Sequence, residues 1–130
     1  SGNFTLTDMY EQFQAVKKMG PFGKVLKMIP GMSTDVPEEM LNTAEGRLDK
    51  WGVIIQSMTP AEKENPKLLN SSRARRIARG SGTTEKDVKE LLKQYIMMRK
   101  MLKMFKRKKK LAFWSEEYIM KILFAENSRN

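Results

Sequence analysis

Apolar residues return every three or four positions along most of the chain, and proline, glycine and capping residues mark the breaks between these runs. Met9, Phe13 and Val16 share one face of a first helix, opened by Asp8 and Glu11 as a capping pair and stopping near Met19, before Gly20-Pro21. Pro37-Glu38-Glu39 opens a second, because proline and acids suit a first turn. Its broad apolar face runs through Met40, Leu41, Ala44, Leu48, Trp51, Ile54, Ile55 and Met58, weakened by Gly46 and Gly52. Thr59-Pro60-Ala61-Glu62 starts a short third helix, which Asn65-Pro66 ends. A fourth runs from a cap at Asn70 or Ser71 to Gly80-Ser81-Gly82, and a fifth from Thr84 and Asp87 to about Phe105. In the fifth, Val88, Leu91, Leu92, Tyr95, Met98, Leu102 and Phe105 form one stripe, and Met97, Met101 and Met104 an adjacent one. The pattern predicts an all-α fold: a small domain of about five helices, the last two joined by a tight glycine turn as a helix-turn-helix.

Two features do not fit a plain helical bundle. Residues 20 to 32, GPFGKVLKMIPGM, have the glycines and prolines of a loop but the side chains of a core. Loops are ordinarily polar, so an apolar one is expected to cover an apolar surface. The second feature is the count of 11 methionines. Methionine is unbranched and polarizable and recurs where one surface must accept varied apolar shapes. One methionine is best read as core filling, but the set together with the apolar loop points to an open hydrophobic groove under a flexible cover.

Charge adds a second surface. The net charge is +10, yet residues 66 to 110 alone hold 16 Lys/Arg against Glu85, Asp87 and Glu90, so the rest of the chain is net acidic. A field confined to one third of the sequence suggests a polyanionic partner. On the fourth helix Arg73, Arg76 and Gly80 align, Arg75 and Arg79 form a second basic row, and Ala74, Ile77 and Ala78 can pack inward. Like charges at these spacings repel, so stability alone would not favour them, whereas a phosphate backbone would. Gly80 and Gly82 would let backbone N–H groups approach a ligand, and Ser81 adds a hydroxyl.

Composition removes other functions. The chain has neither cysteine nor histidine, which excludes disulfides, thiolate or imidazole metal sites and the commonest nucleophile–base pairs. No enzyme activity, cofactor or metal is expected. No apolar run approaches the roughly 20 residues that span a bilayer.

Several stretches closely resemble the methionine-rich M domain of the signal recognition particle GTPase subunit, in archaeal or eukaryotic wording. They are FTLTDMYEQF at 4 to 13, KKMGPFGKVLKMIPGM at 17 to 32, SRARRIARGSG at 72 to 82, DVKELLKQY at 87 to 95 and the methionine-rich run to Met104. The resemblance covers residues 4 to 108 and implies a cytoplasmic ribonucleoprotein component. Ser72, Arg73, Arg76, Arg79, Gly80, Ser81 and Gly82 would bind the particle's RNA at a hairpin's internal loops, through its minor groove. A groove lined by Met9, Phe13, Val16, Met19, Phe22, Leu26, Met28, Ile29, Met32, Ile55, Met58, Met97, Met98, Met101, Leu102 and Met104 would hold signal peptides and nascent transmembrane segments. Residues 19 to 32 match the family's finger loop. Ribosome and other particle proteins would be indirect partners. No G-x-x-x-x-G-K-[ST] occurs, so the family's GTPase domain is not expected within these residues.

Residues 109 to 130 match nothing in the resemblance and read as an amphipathic tail or extension. Phe113, Trp114, Tyr118, Ile119, Ile122 and Leu123 give it an apolar face. It is expected to dock in the groove of its own or a neighbouring molecule, or to be incidental. The alternative for the whole chain is a helix-turn-helix DNA-binding regulator, followed by a membrane-surface protein using Lys106 to Lys110 beside Trp114.

Overall fold

The computed structural model describes residues 4–21, 24, 30 and 36–105. They form α1 (Leu6–Lys18), α2 (Glu38–Gln56), α3 (Pro60–Glu64), a single 3-10 turn at Pro66–Leu68, α4 (Ser71–Ser81) and α5 (Glu85–Phe105), with no strand among the described residues.

Local chemistry accounts for most of the boundaries. α1 begins one turn earlier than Asp8 and Glu11 suggest. Thr5 is its cap: the Thr5 hydroxyl accepts from the Asp8 N–H at 3.1 Å, and the Asp8 carboxylate accepts from the Thr5 N–H at 3.0 Å. The reciprocal pair satisfies two donors at once, so Asp8 is the third helical residue rather than the cap. Thr59 with Glu62 and Thr84 with Asp87 repeat the device at α3 and α5. Asn70 caps α4, accepting from the Arg73 N–H at 2.9 Å. α4 ends at Gly82, whose φ of 71° lies in the left-handed region, and the N–H groups of Gly82 and Thr83 both reach the Ala78 carbonyl.

α1 packs along α2, and α4 folds back on α5 to form a helical hairpin that rests on α2. Leu6, Met9, Phe13, Leu48, Trp51, Ile54, Ile55, Ile77, Val88, Leu91 and Met98 fill one shared core. Trp51 lies tilted against Phe13, ring centroids 5.9 Å apart. Burial of this kind contributes roughly 1.5–3 kcal/mol per large apolar side chain. At the other end Phe4 stacks on Tyr95 at 5.7 Å, and the Tyr95 hydroxyl donates to the Phe4 carbonyl at 2.6 Å. Burial pushes the Tyr95 phenol above its ordinary value; nearby Arg99 opposes this, while Asp8 and Glu64 add to it.

Candidate functional site

The α4–α5 hairpin presents the arginines, but not as four equivalent cations. α3 packs against α1 and reaches the arginines of α4 through Glu62, a fully buried side chain. Its carboxylate accepts from Arg73 Nη1 at 3.0 Å and from Arg76 Nη2, while also closing the α3 cap with the Thr59 N–H at 2.9 Å. Burial alone would raise the Glu62 pKa. The Arg76 hydrogen bond, the Thr59 N–H and Arg73 outweigh it and hold the carboxyl below its ordinary value. Against the expectation that stability alone would not favour the basic row, Glu62 bridges Arg73 and Arg76 within the fold.

Both guanidinium side chains stay partly outside, 41% and 47% exposed. Each has five N–H donors, so one bond to Glu62 leaves a fixed fork with donors to spare. Arg75 and Arg79 are exposed and form no ion pair among the described residues. The site thus pairs two positioned arginines with two free to move. Glu62 escaped the sequence reading because Thr59-x-x-Glu62 is fully explained as a cap; nothing local signals a partner 11 and 14 residues ahead.

The turn residues divide as well. Ser72 and Gly80 are exposed, and a Cβ on Gly80 would meet only the Ser57 hydroxyl, at 4.0 Å. Packing does not demand glycine there. Gly82 is required by its backbone. The Ser81 hydroxyl donates to the Ile77 carbonyl at 2.8 Å and lies 2.8 Å from the Thr83 hydroxyl.

The groove residues are dispersed. Met9, Phe13, Val16, Ile55, Met58 and Met98 are buried members of the closed core, not an open lining, because the inner faces of α1, α2 and α5 need them to exclude water. Met101 and Leu102 are half-buried, while Met19, Met97 and Met104 are exposed, Met104 by 73%. Ile96, 49% exposed, joins Met97 and Met104 on the outer side of α5 and was missed because it falls off both predicted stripes. Phe22, Leu26, Met28, Ile29 and Met32, with most of the finger loop, lie outside the described residues, as does the tail from residue 106.

A cleft of about 350 Å³ opens where α1 ends, lined by Lys17, Gly20, Pro21, Glu45, Leu48 and Asp49. It is bordered by a 2.7 Å ion pair between Lys17 and Asp49, and among the described residues no predicted groove residue lines it. Among the described residues no carboxylate cluster could hold a metal, and no helix is long and apolar enough to cross a membrane.

Residues 1–120 match the family model of the signal peptide binding domain. The signal recognition particle 54 kDa protein of Pyrococcus horikoshii is 54% identical over 102 residues, covering 78% of this chain and 23% of that protein. Its counterpart in Sulfurisphaera tokodaii is 50% identical over 110 residues, 83% of this chain and 25% of the relative. The chain thus spans about a quarter of the length of these relatives. In three dimensions it is similar to the Aeropyrum pernix K1 signal recognition particle 54 kDa protein, crystallised with GDP: TM-score 0.60, 42% identity, 78% of this chain and 24% of that one. It is also similar to the solution structure of the Af54 M-domain: TM-score 0.50, 44% identity, 84% and 96% coverage. A helical hairpin with anchored arginines, a methionine-rich last helix and these likenesses lead to one assignment: the chain belongs to the signal peptide binding domain family, the M domain of signal recognition particle 54 kDa proteins.

Proposed function

We propose that this domain works in the cytoplasm as the signal-sequence- and RNA-binding part of a signal recognition particle, in co-translational targeting of secretory and membrane proteins. The observation that carries the RNA half is the pair Arg73 and Arg76, held by buried Glu62 with their remaining donors turned outward. An arginine fork fixed before binding loses less side-chain freedom when it meets a phosphate or a base edge. RNA minor grooves are wide and shallow, so a short basic helix ending in glycines reaches them. Ser72, Arg79, Gly80 and Gly82 complete this surface, with Ser81 supporting the turn. The peptide half is supported by the family's description and by Ile96, Met97 and Met104 standing exposed on α5. The finger-loop residues would complete the groove. Ribosomal contacts are indirect. On this reading the domain binds rather than catalyses.

Binding to the particle's RNA hairpin is to be compared with binding to duplex DNA of equal length. Preference for the hairpin, lost with Arg73→Ala or Arg76→Ala, is the expected result. Equal affinity for DNA would return the reading to a helix-turn-helix regulator, which no comparison favours. A photo-crosslinking signal peptide should label the methionines of α5.

A further inference from the structure

The outward face of α5 carries charge that the arginine helix does not explain. Lys86, Lys93 and Lys100 are seven residues apart, so they stack along one line of the helix about 10 Å from one to the next. Lys89 and Lys103 flank that line, and all five side chains are exposed. Glu85 pairs with Lys89 at 3.2 Å; the other four lysines make no ion pair among the described residues. The neighbouring acid Asp87 is engaged by Lys50 and by the Thr84 cap. Moreover, Lys86 lies in the first turn of α5, where the helix dipole disfavours a cation. The ridge concentrates positive potential along one line of the helix.

We propose that this lysine ridge is a second RNA-binding surface, one that grips sugar-phosphate backbone without reading sequence. It rests on the reading of the arginine helix as RNA-binding and extends it. Lysine suits the task, being a compact charge on a flexible stem that positions a polyanion, whereas the arginine fork specifies. The ridge is continuous with the arginine helix through the turn Gly82-Thr83-Thr84, so one hairpin of helices offers both surfaces. Between residues 86 and 93 the exposed side chains of α5 are Lys86, Lys89 and Lys93, none of them apolar; beyond Lys93 the exposed Ile96, Met97 and Met104 border the ridge, so the vesicle arm of the test below distinguishes lipid from RNA.

The test uses the full chain and its Lys86→Gln/Lys93→Gln/Lys100→Gln variant, with matching circular dichroism as the folding control. Affinity for the particle's RNA hairpin, with and without an added helical turn of duplex, is measured across salt concentrations. The variant is expected to keep hairpin preference, to lose the affinity gained from the extension, and to show a salt slope shallower by about 2–3. An unchanged slope overturns the ridge even if the wild type prefers the hairpin. Loss of binding to phosphatidylcholine–phosphatidylglycerol vesicles with the RNA slope unchanged also overturns it and assigns the ridge to lipid. A wild type without hairpin preference would sink the RNA reading of α4, whereas a slope loss in the variant would still uphold the ridge.

Discussion

Glu62 shows how one buried carboxylate turns repulsion into order. Alone it would be costly at zero exposure; bonded to Arg73, Arg76 and the Thr59 N–H it is stable and immobile. Glu62→Gln should destabilise the domain by about 1–3 kcal/mol, since a charge-assisted network is broken around partners that can still reach water. It should also weaken RNA binding more than peptide crosslinking. The pH dependence has a definite sign. The folded carboxyl titrates below its unfolded value, so its stabilisation is complete above the ordinary glutamate range and fades as pH falls through the folded value. The gap in Tm between wild type and Glu62→Gln should therefore narrow as thermal melts are moved from neutral pH to acid. Two glycines give opposite expectations. Gly46 is exposed in mid-helix with nothing within 4 Å of an added Cβ, so Gly46→Ala should stabilise by about 0.5–1 kcal/mol. Gly82→Ala should cost about 1–2 kcal/mol, because its backbone is left-handed. Urea midpoints read both.

At the scale of elements, α5 separates packing from recognition. Its inner residues Val88, Leu91, Tyr95 and Met98 are core, and its outer Met97 and Met104 are not. Met98→Ala should cost about 2–5 kcal/mol, whereas Met97→Gln with Met104→Gln should leave stability within about 0.5 kcal/mol per site and reduce signal-peptide labelling. Helix existence, order and ends were legible in the sequence wherever a cap or breaker acts locally: Pro37 before α2, Thr59-Pro60 at α3, Thr84 with Asp87 at α5. The missing first turn of α1 shows the limit, since Thr5 with Asp8 and Asp8 with Glu11 have the same spacing and only the folded chain chooses. The site was legible by residue type but not by arrangement. Arg73 and Arg76 stood out, yet their tie to Glu62 is tertiary. Likewise the methionines announced an adaptable surface, while periodicity could not say which of them the core would claim.

For the molecule as a whole, charge and core are segregated. The basic surplus lies in residues 66 to 110, which include the whole α4–α5 hairpin, while the apolar interior is shared with α1 and α2. RNA affinity should accordingly fall steeply with salt, while capture of an apolar peptide should change little; parallel titrations of both ligands would expose any mixing of the two surfaces. One contact ties the assembly end to end. The Tyr95 hydroxyl reaches the Phe4 carbonyl across 91 positions of sequence. Pulling on the chain at residue 4 therefore loads the middle of α5 before α1 can unwind. Mechanical strain entering at that point is felt by the helix that carries both the lysine ridge and the exposed methionines.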